Sequence, residues 1–439
     1  MRIKYETSLT IGSGIIQAAA AIVVIKLNIS SLELYEVQLW IISLAILPFY
    51  ALLEFGVTNV LPQRLSKMNN MLAERISYIR RFENRAAIFH LASVFIVLSV
   101  LIVLNNTQII KISSAWQLVF LSILIALRGY SNVTLGIIYS LGLNVREKEL
   151  RLVATLVNLC ALTILSINSR YTFIELLSIN YLTTIGTIFT CKIIIARKHN
   201  NIPIHSASVR ALEKISKDEV ESFKTSLPSM FVINSLPFII AANLSASDNI
   251  NFSIAQQVFS GIGIVVLAPI VISYKKITDL YLSDLSEARN FLLRIVYHTV
   301  LILISCQTVL WLTLDYFLDY IKSGSALLDR EFILLFIAFM SFEWIQTVVT
   351  RGGMASGYYN FWRQTAASAF LTIFFALILS VKFGLYGVLW AVVLAQIPTC
   401  HYFNTKVVLA RFNATFRDFF RASAPYFYTL PLIILMILK

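Results

Sequence analysis

Twelve long apolar stretches run through this chain, separated by short polar segments. A helix of roughly 20 residues crosses the hydrocarbon core of a bilayer, and it satisfies its own backbone polar groups, as lipid requires. The chain is 58% hydrophobic and only 13% charged, whereas soluble domains are roughly one quarter charged. We therefore predict an all-α polytopic integral membrane protein with twelve transmembrane helices. The predicted spans are residues 8–27, 36–56, 84–104, 115–141, 150–168, 173–195, 226–245, 252–273, 291–313, 331–350, 363–381 and 385–405.

The distribution of lysine and arginine predicts the orientation of these spans. When the N-terminus is placed in the cytoplasm, most of the 36 basic residues fall in segments on the cytoplasmic side. Cytoplasmic loops of membrane proteins carry such an excess, so we predict that both ends of the twelve-span unit are cytoplasmic. Attraction to anionic lipid headgroups accounts for the net charge of +13, so we expect no nucleic-acid partner. The opposite loops hold only Lys111, Arg170, Lys322, Arg330 and Lys382.

The longest polar interval, residues 196–225, is basic and divides the spans six and six. This predicts an N-lobe over residues 1–195 and a C-lobe over residues 226–405, joined by a basic cytoplasmic linker. Residues 406–439 form a basic tail that includes a short apolar segment, residues 425–438. Because so short a segment is less than a bilayer normally requires, the sequence leaves open whether it crosses the membrane.

Short sequence echoes favour an internal repeat. Spans three and nine both open with an arginine that is followed closely by an aromatic residue and a histidine. In span three these are Arg85 and Phe89-His90, and in span nine they are Arg294 and Tyr297-His298. A serine-glycine end closes span four at Ser140 and span ten at Ser356, at nearly the same offset. An even number of spans per half makes such a repeat parallel, so equivalent positions in the two lobes are predicted to lie at similar depth.

No motif of a soluble enzyme occurs in the sequence. It contains no glycine-rich phosphate loop, no His/Cys cluster with metal-ligand spacing and no nucleophile elbow. Thiols within apolar spans behave as small apolar side chains. We therefore expect no enzyme activity, no catalytic residue, no cofactor and no metal. The four cysteines, all within or at the ends of spans, are Cys160, Cys191, Cys306 and Cys400.

The most informative residues are ionisable groups inside the spans. Arg128 lies about midway along span four, where a charge costs roughly 2.5–3.5 kcal/mol on insertion scales. It is a candidate for binding phosphate oxygens through its guanidinium, and the alternative is a structural salt bridge or carbonyl contact. Glu343 occupies the corresponding position in span ten. A carboxylate there either carries a proton or pairs with Arg128 when the cavity is empty.

Other polar groups in and near the spans allow two interpretations each. His90 and His298 are candidates for proton coupling or a gate, although a histidine near a span end is more often an interfacial group. Arg351 and Arg363 either anchor span ends by snorkelling or line a basic vestibule for an anionic substrate. Amide side chains offer sugar contacts, with interhelical hydrogen bonding as the alternative. The amide candidates are Asn132, Asn234, Gln256 and Gln257.

Three passages resemble one transporter family. They are Glu54-Phe-Gly-Val-Thr-Asn-Val-Leu at the end of span two, Ala241-Ala-Asn-Leu-Ser with Phe252-Ser-Ile-Ala-Gln-Gln where spans seven and eight join, and Gly384-Leu-Tyr-Gly-Val-Leu-Trp-Ala391 opening span twelve. The chain resembles the Wzx-type O-antigen flippases over essentially its whole length. These polysaccharide transporters belong to the multidrug/oligosaccharidyl-lipid/polysaccharide (MOP) exporter superfamily.

The resemblance implies two six-helix lobes around a central cavity that opens alternately to each side. The implied substrate is an undecaprenyl-diphosphate-linked oligosaccharide, moved from the cytoplasmic to the periplasmic leaflet of the bacterial inner membrane during O-antigen and lipopolysaccharide biosynthesis. The cavity is expected to be cationic, with Arg128 central and Arg351 and Arg363 nearer the cytoplasmic mouth. The implied partners are membrane lipids, a polysaccharide polymerase and a chain-length regulator. The implied driving force is a proton gradient or the membrane potential.

Three alternatives remain. The lipid-linked peptidoglycan precursor flippase is another relative of these transporters, but it usually has two spans more. A drug or cation antiporter of the same superfamily would share the architecture, but it would be expected to hold a carboxylate inside an N-lobe span, and spans one to six contain none away from their ends. A membrane O-antigen polymerase or glycosyltransferase would act on the same lipid-linked sugars. The predicted outside loops are short and lack an evident acid–base constellation, which disfavours such an enzyme.

Overall fold

The computed structural model describes residues 2–49, 61, 72–107, 115–141, 143–168, 171–199, 217–321 and 329–437. This part of the chain is almost entirely helical and contains no β-strand. A 3₁₀ turn, Leu47–Phe49, follows α2, and a π-helical segment, Ile397–Asn404, follows α13. The α-helices are α1 (Arg2–Ser31), α2 (Leu34–Ile46), α3 (Leu72–Asn106), α4 (Ala115–Ser140), α5 (Asn144–Asn168), α6 (Phe173–His199), α7 (Lys217–Asn234), α8 (Leu236–Asn243), α9 (Ala246–Val266), α10 (Ala268–Ser283), α11 (Leu285–Ile321), α12 (Arg330–Ala355), α13 (Trp362–Gln396), α14 (Thr405–Arg411) and α15 (Phe416–Ile437).

Ten stretches of the described residues are long and apolar enough to cross a membrane. Every predicted span except the second overlaps one of them. The second corresponds to the shorter apolar helix α2, and residues 50–56 of that span, with the Glu54 motif, lie outside the described residues. The prediction of an all-α polytopic membrane protein is therefore confirmed, while the number twelve stays a prediction.

Predicted spans eleven and twelve belong to one apolar stretch, Trp362–Arg411, which is broken at Gly384. Gly384 has φ +59° and ψ −139°, a conformation that residues with a Cβ rarely adopt. Three residues later, a Cβ on Gly387 would lie 2.0 Å from the carbonyl oxygen of Leu379. Glycine is therefore required at both positions of the Gly384 passage for the chain to turn between the two predicted spans.

The helix α3 begins further toward the N-terminus than predicted. Its apolar stretch runs from Ile76 to Asn106, so Glu83 lies about two helical turns inside it. This stretch of 31 residues is longer than the roughly 20 that cross a hydrocarbon core, so the expectation that spans one to six hold no carboxylate away from their ends stays a prediction. The predicted boundary at residue 84 followed the first apolar residues, whereas the helix continues through a charged segment that packs on its neighbours.

The C-terminal apolar segment is the end of a longer helix, α15, of 22 residues. Its first turn is capped by Thr415, whose backbone N–H donates to the Asp418 carboxylate at 2.9 Å, while the backbone N–H of Asp418 donates to the Thr415 hydroxyl at 3.2 Å. This reciprocal capping box satisfies two backbone donors and fixes where the helix begins. At about 1.5 Å per residue the helix is long enough to cross a core of about 30 Å.

The chain forms two compact units. Unit 1 comprises Met1–Lys26 with Phe231–Lys439, and unit 2 comprises Leu27–Met230. The lobe boundaries at residues 195 and 226 stay predictions, and residues 200–216 of the predicted linker lie outside the described residues.

Unit 2 is organised around α4, which packs against α3, α5 and α6. More than half of its apolar stretch is buried, because neighbouring helices cover it on several sides. One part of the core lies where α3, α4 and α6 meet, and it includes Phe82, Ala86, Val133, Ile137, Ile138, Cys191 and Ile195.

Unit 1 is organised around α12, which packs against α9, α10, α11, α14 and α15. Aromatic rings fill the α9–α12 contact: the Trp344 indole stacks on the Phe259 ring with centroids 4.1 Å apart. A Cβ on Gly263 would lie 2.5 Å from Trp344 Nε1, so the absence of a side chain there admits the indole. The two helices that carry Arg128 and Glu343, α4 and α12, are thus the central helices of their own units.

Candidate functional site

Arg128 on α4 is held by an amide network in unit 2. Its guanidinium donates a hydrogen bond to Asn180 Oδ1 on α6. Asn180 is buried, and its Nδ2 donates to the Leu176 carbonyl at 2.7 Å, which orients the amide oxygen toward Arg128. Asn158 Nδ2 on α5 reaches the same oxygen at 3.5 Å. The partner is neutral, so the charge of Arg128 is oriented but not compensated.

A second polar cluster in unit 2 surrounds Glu83. The Tyr130 hydroxyl, two residues from Arg128 on α4, donates to Glu83 Oε1 at 3.1 Å. Lys192 Nζ on α6 lies 3.6 Å from the same oxygen and 5.4 Å from the centre of the Tyr130 ring. His90 is buried, with its ring edge-on to Tyr130 and Nδ1 2.7 Å from the Ala86 carbonyl. A carboxylate, a lysine, a phenol and an imidazole from three helices therefore meet here.

Asn132 lies on α4, one helical turn after Arg128, and contacts a group of ion-paired residues on α5. The Asn132 amide oxygen accepts from Arg151 Nη1 at 3.4 Å, and Arg151 is paired with Glu147 one turn earlier on α5. Lys148 Nζ is 3.3 Å from the same carboxylate, which is almost fully buried. Asn132 itself is exposed.

Glu343 is half-buried on α12 in unit 1. Among the residues that the structure describes, its carboxylate has no hydrogen-bond or ion-pair partner. Its neighbours in sequence pack away in two directions: Trp344 stacks on Phe259, and Phe342 meets the edge of the Tyr426 ring at 5.3 Å.

The π-helical segment brings a further histidine to this region. His401 Nε2 is 3.2 Å from Gln396 Oε1, and the His401 ring lies 6.3 Å from that of Phe342, the residue before Glu343. π-Helical turns often accompany functional sites because they redirect side chains within a helix. Sequence reasoning missed His401, although a histidine within predicted span twelve was an available signal.

The remaining predicted residues lie in unit 1 at separate places. Arg363 is exposed in the first turn of α13, with its guanidinium carbon 5.5 Å from the centre of the Trp362 ring, while Arg351 is half-buried near the end of α12. His298 is exposed on α11 beside Tyr297. The amides Asn234, Gln256 and Gln257 are half-buried on α7 and α9. Their predicted roles stay predictions.

Comparison with known proteins finds solved structures that have a similar fold. No protein-family model matches the sequence, and no curated protein matches it. The MATE multidrug transporter DinF-BH, solved in complex with a ligand, matches at a TM-score of 0.69, over 95% of this chain and 96% of its own, with 14% identity. Lipid II flippase MurJ, in an inward closed conformation, matches at a TM-score of 0.62, over 98% of this chain and 92% of its own, with 15% identity. The chain has the fold of these transporters.

A third structure gives the same result. An inward-facing multidrug resistance MATE family transporter of the MOP superfamily matches at a TM-score of 0.62 over 95% of both chains, with 14% identity. The fold that the resemblance implies, the one these transporters share, is confirmed. Membership of the MOP superfamily and of its Wzx branch stays a prediction.

Proposed function

We propose that this protein is a flippase that moves an undecaprenyl-diphosphate-linked oligosaccharide from the cytoplasmic to the periplasmic leaflet of a bacterial inner membrane by alternating access. The fold it shares with a lipid II flippase supports lipid-linked cargo. The observation that carries the proposal is Arg128, an arginine midway along a predicted span and oriented by Asn180. In this proposal a polysaccharide polymerase and a chain-length regulator act on the product.

Arg128 has the chemistry that a diphosphate requires. A guanidinium offers five N–H donors in a planar fork that matches phosphate oxygens, and it stays charged in proteins. Asn180 is its one hydrogen-bond partner among the described residues, and that partner carries no charge. The remaining donors and the full positive charge are therefore available to an anionic headgroup. Arg351 and Arg363 are proposed as further cationic contacts for the anionic headgroup.

The polar headgroup would pass through the protein while the polyprenyl tail stays in lipid, because dragging phosphates through hydrocarbon is prohibitively unfavourable. The membrane potential would assist outward movement of a negative charge by about 2.3 kcal/mol per charge per 100 mV. Glu343 is the candidate for proton coupling in this scheme, because a half-buried carboxylate without a fixed partner is free to exchange a proton.

A drug or cation antiporter is the second candidate, and one observation favours it. Glu83 lies inside an apolar stretch of unit 2, where such a transporter would be expected to hold a carboxylate. The transporters with the same fold include MATE multidrug transporters. Against this, Glu83 is already engaged by Lys192 and Tyr130, so its charge is compensated within the protein.

Deletion of the gene in its native cell separates the two functions. A flippase predicts that surface polysaccharide is lost and that complete undecaprenyl-diphosphate-linked repeat units accumulate on the cytoplasmic leaflet, where externally added glycan-binding protein cannot reach them. Normal surface polysaccharide with increased sensitivity to cationic drugs would instead support the antiporter. Complementation by the wild-type chain is the control.

A further inference from the structure

A small cavity of about 80 Å³ lies between α11 and α12 in unit 1. It differs from a simple packing defect because polar side chains from α11 line it together with apolar ones. The residues that matter here are Gln307 and Trp311 on α11, and Leu334, Ile337 and Ala338 on α12.

Two polar atoms at this cavity are buried and unsatisfied. Gln307 is only 5% exposed, and its Oε1 has no hydrogen-bond partner among the described residues; the same holds for Trp311 Nε1. The two residues are four positions apart on one helix, so their side chains lie on the same face. One atom is an acceptor and the other is a donor. Buried polar atoms of this kind normally have a partner, from the protein, from water or from a ligand.

The surrounding hydrogen bonds show which end of the Gln307 amide, oxygen or nitrogen, has no hydrogen-bond partner in the described part of the chain. The Ser341 hydroxyl donates to the Ile337 carbonyl at 2.5 Å, and the Tyr426 hydroxyl donates to the Ala338 carbonyl at 2.6 Å. Because each hydroxyl has given its single proton to a carbonyl, it can only accept from Gln307. The Gln307 Nε2 group donates to Ser341 Oγ at 2.7 Å and has a second proton for Tyr426. The oxygen is therefore the unpaired end.

We propose that this cavity binds a hydroxyl group that accepts a hydrogen bond from Trp311 Nε1 and donates one to Gln307 Oε1, supplied by a small alcohol or by water. A hydroxyl is both donor and acceptor, so it satisfies both orphan atoms at once. A hydrocarbon would leave both unpaired, and an ion would find no opposite charge among the lining residues. One water molecule needs a cavity of only roughly 10–15 Å³. The volume of about 80 Å³ therefore leaves room for a short alkyl chain beside Leu334 and Ile337.

Fluorine NMR on the full-length protein in lipid nanodiscs tests this proposal. The chain has six tryptophans, so 5-fluorotryptophan gives few signals, and Trp311→Phe identifies the one from Trp311. We expect 1-butanol to shift the Trp311 signal saturably, whereas butane, which lacks the hydroxyl, gives no saturable shift. The signal of Trp116, an exposed residue, should change only in proportion to the alcohol dissolved in the lipid.

Three variants sharpen the result. Gln307→Leu should weaken the butanol response at least fivefold, and Leu334→Phe should abolish it by filling the cavity. Thr313→Ala on the same helix is the matched control, because Thr313 is not among the residues that line the cavity and its hydroxyl donates to the Val309 carbonyl at 2.8 Å; it should respond as wild type does. A wild-type Trp311 signal that ignores butanol but whose indole N–H shows a cross-peak to bound water would identify water as the source. Neither a saturable shift nor a water cross-peak in the wild-type protein would overturn the proposal.

Discussion

Arg128 in unit 2 and Glu343 in unit 1, which the predicted repeat places at corresponding positions, have different surroundings. Each lies on the central helix of its unit, α4 or α12, and these are the two most buried of the ten apolar stretches. Arg128 is bound by Asn180, itself anchored to a backbone carbonyl, whereas the Glu343 carboxylate has no partner in the described part of the chain. The surroundings of the two side chains therefore differ in kind.

The difference follows from the chemistry of the two groups. A guanidinium stays charged in a protein, so an apolar environment must supply hydrogen-bond acceptors for it. A carboxylate can lose its charge by binding a proton, and it then tolerates an environment without a fixed partner. This contrast suits a permanent cation that binds an anionic headgroup and a carboxyl group that exchanges protons. The following predictions test that contrast, beginning with the largest expected effect.

Arg128→Ala should reduce transport by more than about tenfold, since hydrogen bonds to a charged group contribute about 1.5–3 kcal/mol. Arg128→Lys should retain part of the activity, because an ammonium keeps the charge but loses the planar fork. Transport is measured as leaflet distribution of the lipid-linked glycan in cells with equal amounts of protein. Arg197→Ala, which removes an exposed charge at the end of α6, is the control. Wild-type transport by the alanine variant would leave Arg128 a purely structural role.

Glu343→Gln should flatten the pH dependence of transport while leaving substantial activity at its optimum, because an amide cannot exchange a proton. The measurement is the initial transport rate across a series of external and internal pH values in proteoliposomes. Glu331→Gln, at an exposed carboxylate in the first turn of the same helix, should keep the wild-type profile. A Glu343→Gln profile that coincides with that of wild type would eliminate proton coupling through this residue.

Asn180→Leu should lower the thermal stability of the purified protein, because it leaves the Arg128 guanidinium without its acceptor, at a cost of about 1–3 kcal/mol. The double variant Arg128→Met/Asn180→Leu should recover most of that loss, since removing both partners can be nearly neutral. Unfolding is followed by intrinsic fluorescence in detergent. Strictly additive losses in the double variant would mean that the two side chains do not act as a pair.

Tyr426→Phe should lower stability by about 1 kcal/mol through loss of a buried hydrogen bond in unit 1. The Tyr426 hydroxyl joins α15 to the Ala338 carbonyl on α12. Transport by this variant, measured at equal protein levels, should stay near wild type, because the bond serves packing rather than the Glu343 carboxylate. The combination of unchanged stability and lost transport would reverse that assignment.

Asn158→Leu should have the smallest effect, within about 0.5 kcal/mol of wild type, as expected for a weak contact. The Asn158 contact to Asn180 is 3.5 Å long, at the outer limit of a hydrogen bond, and the Asn158 Oδ1 atom is already unsatisfied among the described residues. The same fluorescence assay measures it. A loss as large as that of Asn180→Leu would mean that Asn158 is a full member of the Arg128 network.

The sequence predicted the site in part. Arg128 and Glu343 stood out because a charge inside an apolar span is unfavourable at any orientation, so no tertiary information was needed to find them. Glu83 was missed because the span boundary was drawn at residue 84, where continuous hydrophobicity begins. Its contacts with Lys192 and Tyr130 join residues far apart in the chain, so the sequence does not reveal them. Asn180 and Gln307 resemble ordinary span amides in sequence, and only their contacts distinguish them.

The sequence by itself determined that the chain is an all-helical membrane protein, because hydrocarbon accepts only long apolar segments that satisfy their own backbone. The sequence also supplies the glycine at position 384, whose backbone conformation residues with a Cβ rarely adopt. The tertiary structure alone decided which helix is central to each unit and which buried polar atoms find partners. Those outcomes depend on packing between residues far apart in the chain. The Gln307 amide shows this, because its nitrogen is bound to Ser341 while its oxygen has no partner among the described residues.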